Sequence, residues 1–223
     1  MDLIETLRTT GAVRTFTDEP VDDAAVHRIL DTARFAPSGG NRQGWRVVVV
    51  QDPARRRALR DAYLDGWDEY LALTGAGLVP FAPLNDRTAE VAALAGPGAV
   101  GRGDFADHLD DAPALLLVLA DLRVLAAVDR DLDRYTFAGG ASVYPFVWSL
   151  LLAARAEGLA GVITTVAVRR EARVKEIFAV PDELAVAALV VLGHPVRQPR
   201  SLRRAPVGEF ATRDQVGGPP FGA

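Results

Sequence analysis

Apolar residues first recur with a helical period. Val26, Ile29, Leu30 and Ala33 fall on one face of a helix that Asp22 would cap, that runs to about Phe35 and that Pro37 ends. Before it, Asp2 to Thr9 reads as a short helix and Phe16 to Val21 as a turn segment around Pro20. Trp45 to Gln51 is too apolar for a strand with a wet face and is expected at the centre of a sheet. Pro53 then opens a long helix bearing Leu59, Tyr63, Trp67 and Tyr70.

The period fails from Thr74 to Asp104, where Gly and Pro are frequent. Unpatterned stretches of this length inside a compact domain are usually functional, so a lid or excursion is expected there. Ala114–Ala120, Gly161–Val166 and Leu184–Leu192 read as strands. Gly139–Glu157 is the most apolar helix, and another lies near Arg170–Phe178. From His194 to Ala223 the chain is first basic and then rich in Gly and Pro. It cannot build a core alone, which suits a tail that wraps another surface. The order of elements leaves α/β and α+β open.

The 223 residues suit a single domain, 1–223, and an apolar content of 49% rules out wholesale disorder. A net charge of −4 argues against nucleic-acid binding through a basic surface. The absence of cysteine removes disulfides, thiolate nucleophiles and zinc–thiolate sites, and fits a cytoplasmic protein. Met1–Thr10 carries Asp2, Glu5 and Arg8 rather than an apolar leader core. Val143–Ala154 is too short to span a bilayer, so no membrane role is expected. His27, His108 and His194 lack metal-ligand spacing.

Several familiar sites are excluded. Gly98, Gly101 and Gly103 do not form GxGxxG, Lys175 is the only lysine, and GGASVYP has Tyr144 where a nucleophile elbow needs glycine. What remains is uncharged polar chemistry in APSGGNRQGW. Ser38, Asn41 and Gln43 offer donors and acceptors, while Gly39 lets a ligand approach the backbone. The same residues also make a good helix stop and turn, and both readings stand. Arg197, Arg200, Arg203 and Arg204 form either a phosphate site or a solvated tail. Thr164 and Thr165 follow a glycine-bearing strand start, where β-branched residues are ordinary.

Taken together, these pieces resemble the FMN-dependent nitroreductase-like flavoproteins. TTGAVRTFTDEPV (Thr9–Val21) stands where that family tends to have RRSVRxF...PV, and APSGGNRQGW where it tends to have APSxxNxQPW. GGASVYPFVWSLLLAARAEGLAG looks like the family's central helix, and LGHP precedes a basic tail. The resemblance implies an α+β fold with an antiparallel-rich sheet flanked by helices, in an intertwined homodimer. The tail would cross to the partner, and FMN would sit at the interface. Pro37, Ser38, Gly39 and Asn41, with Gln43, would meet the flavin from one chain, and Arg14 would come from the N-terminal segment. Backbone near Thr164 and Thr165 would face the ring, with an amide near N5, and Arg203 and Arg204 would take the phosphate. Trp45, Tyr135, Phe137 and Tyr144 would shape a substrate pocket or, as aromatics often do, fill the core.

The resemblance breaks where the family has Arg-Arg-Ser and this chain has Thr10, Gly11 and Ala12. Losing one charge-assisted hydrogen bond costs about 1.5–3 kcal/mol. The Thr10 hydroxyl and the Gly11 amide are the donors left at those positions. Gly44 also replaces the usual proline. The activity implied is ping-pong hydride transfer from NADH or NADPH through flavin N5 to a small organic acceptor, such as a nitroaromatic or quinone. The flavin carries the chemistry, so no catalytic side chain is needed. A biosynthetic dehydrogenase or desaturase reoxidised by oxygen, and a binding protein with a degenerate flavin site, are the alternatives.

Overall fold

Strands apolar on both faces set the frame of the computed structural model, which describes residues 2–96 and 101–222. β1 (Trp45–Val49), β2 (Ala114–Asp121), β3 (Ala160–Thr164) and β4 (Leu184–Gly193) form one sheet in the order β1-β2-β4-β3. Every pairing is antiparallel, which settles the choice in favour of α+β. β2 is buried along its whole length because it needs two dry faces. Leu116 and Val118 point to one layer, and Leu115, Leu117 and Leu119 to the other.

The first layer holds α2 (Asp23–Ala33) and α6 (Tyr144–Ala156), joined by Ile29, Phe146 and Leu150. The second holds α3 (Pro53–Gly75) and α7 (Glu171–Phe178), joined by Leu59, Tyr63 and Val174. Asp22 and Asp52 cap α2 and α3 by accepting the N–H groups of Ala25 and Arg55. A short α1 (Leu3–Thr9) packs against α6. The helix expected from Gly139 begins as a 3-10 turn over Ala138–Ser142 and becomes α6 only at Tyr144, with Pro145 in its first turn.

Two expectations are corrected. The strand at Trp45 lies at the edge of the sheet, not the centre, and Arg46 and Val49 are exposed on it. Its apolar run arises because Trp45 and Val47 pack into one layer and Val48 into the other. The stretch from Thr74 to Asp104 contains regular structure: α4 (Arg87–Leu94), capped by Asp86, and the beginning of α5 (Asp104–Asp107). α4 packs mainly on α3 and buries little beyond Glu90, so its apolar stripe is faint in the sequence. Residues 97–100 of this excursion lie outside the described residues.

β3 is held by two close approaches. Its Gly161 sits opposite Leu192, where a Cβ would lie 2.0 Å from the Val191 carbonyl oxygen. On the outer side the Gly161 carbonyl accepts the Val13 N–H at 2.9 Å. Any side chain at position 161 must therefore push the strand from its partner. Gly161→Ala should destabilise by about 1–3 kcal/mol or more in denaturant unfolding, the range for overpacking. Gly75→Ala, with nothing within 4 Å of the added carbon, should be neutral or stabilising by up to about 1 kcal/mol. Equal midpoints for the two variants would contradict this packing.

Candidate functional site

The N-terminal segment is laid along β3 and the start of the tail. Besides the Val13–Gly161 bond, Thr17 N–H donates to the His194 carbonyl at 2.9 Å and Val196 N–H to the Thr15 carbonyl at 3.2 Å. These bonds fix Arg14, whose guanidinium lies 5.9 Å from the centre of the Phe105 ring. Behind it, burial pushes the Tyr63 phenol up, while a hydrogen bond with Thr164 and the charge of Arg14 pull it down. Arg14, Tyr63, Phe105 and Thr164 thus form one group at the end of β3. Thr165, the next residue, is exposed.

A second group surrounds the loop before β1. The Ser38 hydroxyl accepts the Gln43 N–H at 2.9 Å, and Ser142 accepts the Gly39 N–H at 3.0 Å. The Gln43 side-chain amide donates to both the carbonyl and the side-chain oxygen of Asn41. Asn41 and Gln43 have φ of 52° and 50°, a left-handed conformation that costs about 1–3 kcal/mol each outside glycine. Strain of this kind is held in place by the two serines. Pro37, Gly39, Asn41 and Gln43 are exposed on the outside of the loop. Tyr144 belongs to the same end of the molecule. Register slips between Val118 and Leu119, leaving Ala187 as an extra residue in β4, and its carbonyl accepts the Tyr144 hydroxyl at 3.2 Å.

The two groups share one end of the sheet but stand on opposite edges. Thr164 ends β3 and Trp45 begins β1, with β4 and β2 between them. Three strand spacings place them at least about 14 Å apart. No single hydrogen-bonding atom is reached by both.

Of the pocket and core readings open for Trp45, this chain takes the core one. Its ring stacks on Phe146 at 4.7 Å and is buried in the core. Tyr135 and Phe137 are exposed on the loop after β2. Arg87 of α4 bonds the Tyr135 hydroxyl, tying that loop to the excursion. Phe81 of the excursion lies under Arg169, which follows Thr165 by one short turn. Sequence reasoning missed these anchors because each pairs an arginine with an aromatic far away in the chain.

The tail divides its arginines. Arg204 lines a cavity of about 480 Å³ with Arg8 and Arg200, whereas Arg203 lends its carbonyl to the Arg204 guanidinium. The Thr10 hydroxyl expected for a phosphate is already committed. Thr10 is buried at the end of α1 and donates to the Thr6 carbonyl at 2.7 Å.

Two buried carboxylates shape the surroundings of the Ser38–Gln43 loop. Asp129 accepts the N–H groups of Phe137 and Ala138 at 2.8 and 3.1 Å and the Arg134 guanidinium at 3.0 Å, which hold its pKa down at about 2. Asp121 is held at about 2 by Arg123 first, and by Arg46. Both values lie below the ordinary carboxylate range near 4. Their contribution to stability is complete above that range and is lost as pH falls from about 4 to about 2. Asp129→Asn should lower the Tm at pH 7 by at least about 2–4 °C. It should also flatten the fall of Tm with acid, followed by circular dichroism. An unaltered acid slope would show that Asp129 does not carry it.

The comparisons with known proteins agree with this architecture. Residues 7–194 match the nitroreductase family. A Thermus thermophilus protein named NADH dehydrogenase is 33% identical over 196 residues, covering 88% of each chain. NADPH:FMN oxidoreductase from Vibrio harveyi, solved with NAD+, shares the fold with a TM-score of 0.65 at 21% identity, over 95% of this chain and 76% of that one. Iodotyrosine deiodinase, solved with FMN and 3-iodo-L-tyrosine, does so with a TM-score of 0.66 at 23% identity, over 96% and 100%. With nearly the whole chain matched and a relative of this identity and coverage, the protein belongs to the nitroreductase family.

Proposed function

We propose that this chain is an FMN-dependent oxidoreductase that takes electrons from NADH or NADPH and delivers them to a small organic acceptor, such as a nitroaromatic or a quinone. One observation supports this reading above others. A strained, uncharged polar loop and a cationic group around Arg14 lie at one end of the sheet, on opposite edges, in a chain of this family.

The residues present suit FMN. Asn41 and Gln43 can read the polar edge of a heterocycle without adding charge. Arg14 puts a permanent positive charge beside Thr164 and Thr165, where it favours negative charge arriving on a bound ring. Arginines without acidic partners in the tail suit a phosphate. FMN supplies the redox chemistry when bound, while the protein supplies orientation and shelter. The excursion, held by Phe81 and Arg87, and the loop bearing Tyr135 and Phe137 would line the acceptor's entry. No group of His, Asp and Glu able to hold a metal occurs among the described residues.

The reading includes a homodimer in which the loop of one protomer meets the Arg14 group of its partner. Leu3, Ile4 and Leu7 of α1 and Trp148 of α6 are exposed apolar side chains, and among the described residues no strand pairs with the outer edge of β1. Contact areas of roughly 2,000 Å² or more are usual for obligate dimers. The tail from His194 to Ala223 would extend over the partner.

The purified protein should be yellow, and NADH or NADPH should bleach it under anaerobic conditions. A colourless protein that binds no added FMN would remove the reading. Asn41→Ala should lower flavin content per folded chain severalfold while leaving the circular dichroism unchanged. Lost thermal stability with full flavin content would assign the loop to the fold alone. Light scattering at micromolar concentration should give a dimer, and a monomer that retains flavin would contradict the shared site.

A further inference from the structure

Within the excursion, Phe81 has a φ of 58°, a left-handed conformation that an aromatic residue takes only at a cost. Its ring centre lies 4.6 Å from the Arg169 guanidinium. Arg169 also donates to Glu69 of α3 at 2.8 Å, and Glu69 accepts Arg170 at 2.7 Å. Burial raises the Glu69 carboxyl, and the two arginines more than offset it. Glu90 is a buried carboxylate on the mostly exposed α4. Asn85 first, and then Arg87, hold it below the ordinary carboxylate range, and the charge of Arg169 adds to both. Arg87 bonds the Tyr135 hydroxyl as well. A connected set of charges thus runs from Tyr135 through Arg87 and Glu90 to Arg169 and Glu69.

Backbone proximity fixes Arg169. It belongs to the short turn Val166–Arg170 that follows Thr165. A Cβ on Gly66 of α3 would stand 2.9 Å from the Val166 carbonyl oxygen and 3.1 Å from the Arg169 Cβ, so α3 lies directly against this turn. Val168 N–H donates to the Thr165 carbonyl at 3.0 Å, and the Arg170 guanidinium to the Asp65 carbonyl at 3.1 Å. These contacts keep the turn on α3 without the Arg169 side chain. That side chain instead reaches Phe81 across the gap between α3 and the excursion.

We propose that Arg169 is the positioning residue that seats the excursion over the acceptor's entry, with Glu69 on one side of its guanidinium and Phe81 on the other. This rests on the proposed FMN oxidoreductase reading. Strained residues persist only where their surroundings hold them, and Arg169 is the partner that holds the Phe81 ring. An acceptor that needs the seated excursion binds with an apparent affinity reduced by the fraction that is unseated. Arg169 therefore acts on acceptor binding through Phe81, and leaves the chemistry at the flavin alone.

The test pairs two measurements on the full-length protein. Amide hydrogen exchange over residues 78–95 reads the seating directly, with or without flavin. Arg169→Gln should speed it about threefold to thirtyfold, the range for one cation–π contact and one exposed ion pair. Arg169→Lys keeps a cation between the ring and Glu69 and should stay near wild type. Flavin reduced by dithionite is then reoxidised by 1,4-benzoquinone in a stopped flow. Arg169→Gln should lower the rate constant at low quinone by a similar factor and leave flavin content and the limiting rate at high quinone unchanged. Phe81→Gly accepts the positive φ and removes the ring, so it should repeat both effects, and it decides the matter if Arg169→Gln unfolds. Unchanged exchange overturns this inference and leaves the FMN reading intact. Faster exchange with an unchanged quinone rate overturns it too, because the contact then serves the fold alone. A fall in flavin content or in the limiting rate assigns Arg169 to the flavin's surroundings and also overturns it. Wild type that binds no flavin overturns the FMN reading, and this inference with it.

Discussion

Everything at the site depends on how closely the N-terminal segment and β4 can approach β3. Gly161 sits between them, with the Val191 carbonyl against one side and the Val13 N–H against the other. That contact fixes Arg14 relative to Thr164. It also carries the segment onward to Phe16, which packs against Gly193 and bridges to Pro195 at the root of the tail. Any side chain at 161 would force β3 away from either β4 or the N-terminal segment, and the Arg14 group would lose its footing. The site is therefore built by backbone proximity first and by side-chain chemistry second.

Much of this was legible from the sequence, for physical reasons that can be named. Long apolar runs at Ala114–Ala120 and Leu184–Leu192 must be strands with two dry faces, and they form the centre of the sheet. Asp22 and Pro53 marked helix starts through capping and through proline's fixed φ. β1 misled because two flanking helix layers can dry both faces of an edge strand as well as a central one. α4 was missed because a helix that buries one glutamate leaves little periodicity. At the site, the loop from Pro37 to Gln43 stood out by composition, but composition alone could not separate a turn from a ligand contact. The hydrogen bonds from Ser38 and Ser142 and the positive φ of Asn41 and Gln43 are visible only in three dimensions. Trp45 looked available and is buried, since whether an aromatic faces a pocket or Phe146 depends on a neighbour a hundred residues away.

The electrostatics divide into two kinds. Around the polar loop and the segment after β2, Asp121 is bound by arginine and backbone donors, and Oδ2 of Asp129 by Arg134 and two backbone N–H groups while its Oδ1 has no partner among the described residues. Arg14, Arg57, Arg200 and Arg204 are among the arginines that have no carboxylate partner among the described residues. Under the proposed reading, the uncharged loop would meet the flavin ring and the cationic group the negative charge that arrives on it.

The central claim is that the loop of one protomer and the Arg14 group of its partner make one site. Co-expression of Arg14→Ala and Asn41→Ala chains, with purification of the mixed dimer by two different tags, tests it directly. In the mixed dimer one site carries both substitutions and the other carries neither. The account predicts that the mixed dimer holds flavin at half of its sites with wild-type affinity, although each parent dimer binds poorly. If both groups belonged to a site within one chain, every site in the mixed dimer would carry one substitution. Flavin binding no better than that of the parents would contradict the shared site.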